Sequence, residues 1–107
     1  MSKLVKIVVT VPVTDADKLR KAIGGADGGR IGNYSYCSFS VKGVGRFLPG
    51  NGANPTIGEI GIAEEVVEER LEVTCEQYKM SNVIKAIRET HPYEEPAIDI
   101  YPMLTED

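Results

Sequence analysis

The stretch "HPYEEPAIDIYP" (91–102) holds the chain's single histidine and, three residues on, two adjacent glutamates. An imidazole and carboxylates at this spacing suit a weakly held divalent ion, with His91, Glu94 and Glu95 as ligands and a neighbouring subunit able to complete the set. The same groups could act as an acid/base pair. That chemistry also needs a nucleophile or a substrate pocket, and the sequence identifies neither, so no catalytic residue is assigned. The remaining reading is mechanical. Pro92 and Pro96 fix their own φ and hold the residues before them away from helix, which makes a stiff corner between a helix and a strand. His91 then occupies the last helical turn, where the negative end of the helix favours it. The corner reading takes precedence and the metal reading stands behind it.

Two glycine clusters, "GGADGGRIGN" and "GVGRF", could bring backbone N–H groups close to an anion, with Arg30, Asn33 and Arg46 as candidate ligand-binding residues. Neither has the spacing of a phosphate-binding loop, and neither opens a helix directly after a strand. Glycines that permit positive φ in connectors explain them equally well. Cys37 and Cys75 form no CxxC pair, which excludes a zinc ribbon or a redox motif, and both are read as small buried hydrophobes on core-facing strand positions.

The elements that must hold these residues follow from periodicity. "LVKIVVTVP" (4–12) alternates as a strand, with Val5, Ile7, Val9 and Val11 on its buried face. Thr14 is the expected N-cap of a helix that carries Ala16, Leu19, Ala22, Ile23 and Ala26 inward and ends between Ile23 and Ala26. "YSYCSFSVK" (34–42) predicts a second strand, with Cys37, Phe39 and Val41 inward, and "VGRFL" (44–48) a short resumption. The 49–61 segment is too long for an ordinary hairpin turn and reads as a built loop that packs on a neighbour or binds a ligand. "EEVVEERLEVTC" (64–75) predicts a strand burying Val67, Leu71, Val73 and Cys75. Met80, Val83, Ile84, Ile87 and His91 mark a helix over roughly 78–91. A last strand over 96–102 buries Ile98 and Ile100.

The order β-α-β-β-α-β is the ferredoxin-like plan, an α+β antiparallel sheet with two helices on one face. Its other face keeps Val8, Tyr34, Tyr36 and Val66, apolar enough to predict a homo-oligomer in which copies cover it. The 107 residues suffice for one domain, 1–107. Twelve basic against sixteen acidic residues, with no clustered positive stripe, argue against nucleic acid as a partner. No apolar run is long enough to span a bilayer and no leader pattern opens the chain, so the expected location is the cytoplasm.

Three segments, "GRIGNYSYCSFS" (29–40), "GVGRFLPGNGANPTIGEIG" (43–61) and "HPYEEPAIDIYP" (91–102), resemble the domain inserted in YqfO-like members of the NGG-interacting-factor family. The resemblance implies a PII/CutA-like variant of the ferredoxin-like fold with an extended hairpin, and a homotrimer. "HPY" followed by Pro96 also resembles the matching corner of CutA, the divalent-cation-tolerance protein. In that family the dinuclear metal centre behind the GTP-cyclohydrolase-like label belongs to the flanking domain. A sequence with one histidine does not hold that centre, so the expectation is a stand-alone, non-enzymatic module that binds a small molecule or a partner protein where copies meet. The alternatives are a CutA-type divalent-metal binder and, last, a hydrolase of the family's dimetal type. No cofactor is assigned beyond that possible divalent ion.

Overall fold

The computed structural model describes residues 3–104. Strand β1 (Leu4–Pro12) lies inside a four-stranded antiparallel sheet of order β2-β3-β1-β4, with β2 spanning Phe39–Phe47, β3 Glu64–Glu76 and β4 Ile98–Pro102. Helices α1 (Ala16–Gly25) and α2 (Met80–Thr90) each follow a short 3-10 turn. This is the α+β, ferredoxin-like architecture. Five of the nine β1 residues are valine or isoleucine, suited to a pleated central strand, and Val8 is buried on the face away from the helices as well.

One core joins the layers. Val5, Ile7, Val9 and Val11 of β1 and Leu71, Val73 and Cys75 of β3 meet Ala16, Leu19 and Ile23 of α1 and Val83 and Ile87 of α2. Leu19 and Ile23, and Val83 and Ile87, are each four residues apart, which stacks them on one helical face. The cap of α1 is Asp15 rather than Thr14, because the 3-10 turn Val13–Asp15 shifts the helix start, and neither side chain caps the backbone.

Strand β2 differs from the sequence expectation. It begins at Phe39 and runs unbroken to Phe47, so the two predicted pieces are one strand. Phe39 pairs with Glu72 and Ser40 with Leu71. Cross-strand partners share a face, so Phe39 and Val41 lie on the side away from the helices and remain exposed. Cys37 precedes the strand, in the segment anchored by the Gly29 N–H to the Thr74 carbonyl (2.8 Å) and the Cys37 N–H to the Gly29 carbonyl (2.8 Å). Val67 is also exposed, because β1 ends opposite Glu68 and the hairpin beyond that point is a two-stranded arm. Ile98 packs partly on the core, whereas Ile100 is exposed.

The exit from α1 and the entry to α2 are tied together by charge. Asp27, at the end of α1 with φ 74°, accepts hydrogen bonds from Lys79 Nζ (2.6 Å) and Arg30 Nη2 (3.1 Å). Lys79 first and Arg30 second hold the Asp27 carboxyl below its usual range. A carboxyl depressed in the folded state adds stability above its unfolded value, about 3.9, and loses it as pH falls through the folded one. The urea midpoint should therefore drop between pH 6 and pH 3, and Asp27→Asn should drop less. Asparagine tolerates the same positive φ, so an identical acid loss in the variant would remove Asp27 from this account.

Candidate functional site

The corner after α2 is built around His91. Its backbone N–H closes the helix on the Ile87 carbonyl (2.8 Å), and its own backbone is extended, as the following Pro92 requires. Strand β4 pairs with β1 only as far as Val9, which leaves the Thr10 carbonyl without a strand partner on that side. His91 Nε2 lies 2.8 Å from that oxygen, and Nδ1 lies 3.1 Å from the Tyr93 backbone nitrogen. A carbonyl only accepts and a peptide N–H only donates. Nε2 therefore carries the proton, Nδ1 offers its lone pair, and the buried ring is the neutral imidazole.

That corner directs Tyr93 onto the face of the sheet opposite the helices. Its phenol O–H donates to Glu68 Oε2 at 2.8 Å, and its ring meets Phe47 edge-on with centroids 5.8 Å apart. Burial, and then the hydrogen bond to Glu68, raise the Tyr93 phenol above its ordinary value, so it stays a donor. Glu68 is only 6% exposed. Gly45 makes room for it: a Cβ at Gly45 would fall 2.1 Å from Glu68 Oε1, closer than any real contact.

The 49–61 segment folds back over the same face. The Asn54 N–H donates to Glu94 Oε1 (2.9 Å), the Thr56 hydroxyl donates to the Pro92 carbonyl (2.6 Å), and the Gly61 N–H closes the loop on Pro49 (2.8 Å). Sheet, loop and corner enclose a cleft of about 550 Å³. Gly43, Gly45, Glu68 and Arg70 contribute from the hairpin, Pro49 and Ile57 from the loop, and Tyr93 and Glu95 from the corner.

The sequence-predicted site residues are divided by this arrangement. Arg46 lines the cleft and pairs with Glu65 (3.1 Å). Arg30 instead lines a groove with Leu4, Thr74 and Met103, and Asn33 is exposed in the turn between the bridged pair Ile31 and Tyr34. His91, Glu94 and Glu95 all belong to the corner but do not converge as a ligand set, and both ring nitrogens and one Glu94 oxygen already have partners. Among the described residues there is no group of three or more His, Cys, Asp or Glu that could hold a metal ion. Glu68 and Gly45 were not singled out from sequence. The alternation of β3 that turns Val67 inward turns Glu68 outward, and it is the corner residue Tyr93 and the bare Gly45 of β2 that take it out of solvent. Of the cysteines, Cys75 is buried, and burial raises its thiol, while Cys37 is half-buried outside any strand.

No family model matches the chain. It is 48% identical over 103 residues to a protein named GTP cyclohydrolase 1 type 2 homolog in Halalkalibacterium halodurans, covering 96% of this chain and 28% of that one. The structure superposes on the Bacillus cereus protein related to NIF3 with a TM-score of 0.85 and 44% identity, over 97% of this chain and 26% of the other. The chain matches one stretch of longer proteins. It spans little more than a quarter of the length of the curated relatives it resembles. The periplasmic divalent cation tolerance protein CutA from Archaeoglobus fulgidus shares the fold, with a TM-score of 0.70 over 95% of this chain and 85% of that one. At 17% identity the likeness is one of fold alone. The resemblance of the three sequence segments to the NIF3-related family agrees with these relatives, and the CutA-like fold that it implies agrees with the structural likeness.

Replacing His91 with alanine removes both ring hydrogen bonds and leaves the Thr10 carbonyl and Tyr93 N–H without partners. The expected loss is about 1–3 kcal/mol, read from urea unfolding. A change under about 0.5 kcal/mol, the size of an ordinary surface substitution, would show that the imidazole does not hold the corner.

Proposed function

We propose that the chain is a non-enzymatic, homo-oligomeric CutA-like module, three copies to an assembly, that binds a small ligand or a partner protein in the cleft over its sheet. The observation that carries this reading is the cleft itself. The glycine-bearing hairpin, the long loop and the proline corner, distant in sequence, are pinned together by side-chain hydrogen bonds around a space large enough for a small molecule. Structure invested in holding a cavity open and shaped is what a recognition site needs.

Assembly is supported by the same face. Phe39 is 67% exposed, and Val41 and Tyr101 are about half exposed. By the strand register these three share the side away from the helices with Val8. Large apolar side chains grouped on an open sheet face mark a surface that association covers. The cleft borders that face through Val41, so ligand and neighbouring copy would meet along one boundary. No helix among the described residues is long and apolar enough to cross a membrane, and the module is assigned to the cytoplasm as part of this proposal.

Binding rather than catalysis is the reading for this chain because the polar groups at the cleft are engaged in structural bonds, Tyr93 with Glu68, Glu94 with Asn54, Arg46 with Glu65 and Arg70 with Glu72. The cyclohydrolase name belongs to relatives of which this chain matches about a quarter. A divalent-ion role would need the Nδ1 lone pair that His91 already gives to the Tyr93 N–H.

Light scattering of the purified protein should give a mass near three times 11.7 kDa. Val41→Asp, which places a charge on the exposed sheet face, should reduce that mass to one copy while keeping the far-ultraviolet spectrum. A monomeric wild-type protein, or a variant that assembles unchanged, would contradict an interface on this face.

A further inference from the structure

We propose that the cleft takes a ligand with a cationic, N–H-donating head on an apolar body, an arylamidine or arylguanidine in chemical class, and that Glu68 receives the head. This inference rests on the cleft being a binding site and adds what it binds.

The argument starts from an imbalance of charge. Glu68 is buried, and its Tyr93 partner is a neutral donor that reaches Oε2 only. Oε1 has no hydrogen-bond partner among the described residues, yet it is not sealed from solvent, since no buried side-chain oxygen is left unpaired there. It is the unpartnered oxygen of a carboxylate that lines a cavity, lying over the bare backbone of Gly45. The cations nearby do not neutralise it. Arg46 is paired with Glu65 (3.1 Å) and Arg70 with Glu72 (3.0 Å), and neither of those glutamates lines the cleft. Lys42, the third cation at the lining, is the strand partner of Glu69 and so takes the helix-side face rather than that of Glu68. Among the described residues Glu68 forms no ion pair. Buried Glu69, its neighbour in β3, shows the usual arrangement: it faces the helices and is bound by Arg20 at 2.6 Å.

A carboxylate in such surroundings bears a desolvation cost that a hydrogen-bonded cation would offset. The rest of the cavity selects what carries that cation. Val41, Phe47, Ile57 and Tyr93 offer apolar and aromatic surface, and Gly43 and Gly45 leave the strand bare of side chains beside the carboxylate. A planar cation on an aromatic ring matches both parts. It is weakly hydrated, it donates N–H groups in a fixed plane, and its ring can lie against the wall. A compact, strongly hydrated alkylammonium satisfies only the charge.

The test uses the assembled protein as purified and three probes of one shape, benzamidinium, neutral benzamide and anionic benzoate, followed through the backbone amide resonances of Gly43, Gly45 and Tyr93. Benzamidinium should shift these amides and bind at least roughly five-fold more tightly than benzamide, with benzoate weakest, a preference of about 1 kcal/mol. Glu68→Gln, nearly the same shape, should reduce benzamidinium to the benzamide level. Glu89→Gln, an exposed carboxylate on α2 away from the cleft, should leave the preference intact, and if Glu68→Gln fails to fold, Glu68→Asp, which keeps the charge but shortens its reach, should lower the preference instead. Equal or better binding of benzamide or benzoate would overturn the cationic assignment while leaving the cleft as a site. A preference that survives undiminished in Glu68→Gln or Glu68→Asp, or vanishes in Glu89→Gln, would overturn the role of Glu68. Failure of all three probes to shift these amides would overturn the binding cleft itself.

Discussion

The site depends on one carbonyl oxygen. Strand β4 begins beside Val9, one residue too late to pair with Thr10, and a buried peptide oxygen without a partner would cost about 1–3 kcal/mol. His91 supplies the missing hydrogen bond from the end of a helix, and its second nitrogen fixes the peptide two residues on. The imidazole thus spans helix, strand and corner, and only a neutral ring can do so, donating on one side and accepting on the other. Pro92 and Pro96 restrict the chain on either side of Tyr93, and the tyrosine has one direction left in which to point.

From that corner the cleft is assembled in steps that each depend on the last. Tyr93 reaches Glu68, Gly45 leaves the space that the carboxylate occupies, and Pro92 and Glu94 receive the returning loop. Each contact joins residues far apart in sequence, and none belongs to the helix-covered core. The molecule therefore separates its tasks by face. The helix side holds the core, and the other side holds the cleft and the exposed aromatic and aliphatic surface through which copies would meet.

The sequence makes the core side legible because burial there repeats with the period of the element. Alternation over Val5, Ile7, Val9 and Val11, and the four-residue spacing of Leu19 with Ile23 and Val83 with Ile87, lead directly to the observed layers. Strand β2 is less legible. It is an edge strand with two glycines, its second half runs beyond the end of β1, and Phe39 and Val41 face away from the core although their apolar character suggests the reverse. The parity of β3 was readable, including the outward direction of Glu68. Its burial was not, because it comes from a corner whose folding-back leaves no periodic mark. The stiff corner itself could be read from Pro92 and Pro96, since their backbone restriction is local. The Thr10 carbonyl that His91 serves is 81 residues away and depends on where β4 starts.

Amide hydrogen exchange at Tyr93 and Asn54 tests this chain of dependence most directly. Both N–H groups lie outside helix and strand, and each has a single side-chain acceptor, His91 Nδ1 for Tyr93 and Glu94 Oε1 for Asn54. The account predicts that both exchange far more slowly than an unstructured chain, and that His91→Ala frees both together, because the loop is held by the corner. Free exchange at both sites in the unaltered protein, or an Asn54 amide that stays protected when His91 is removed, would contradict it.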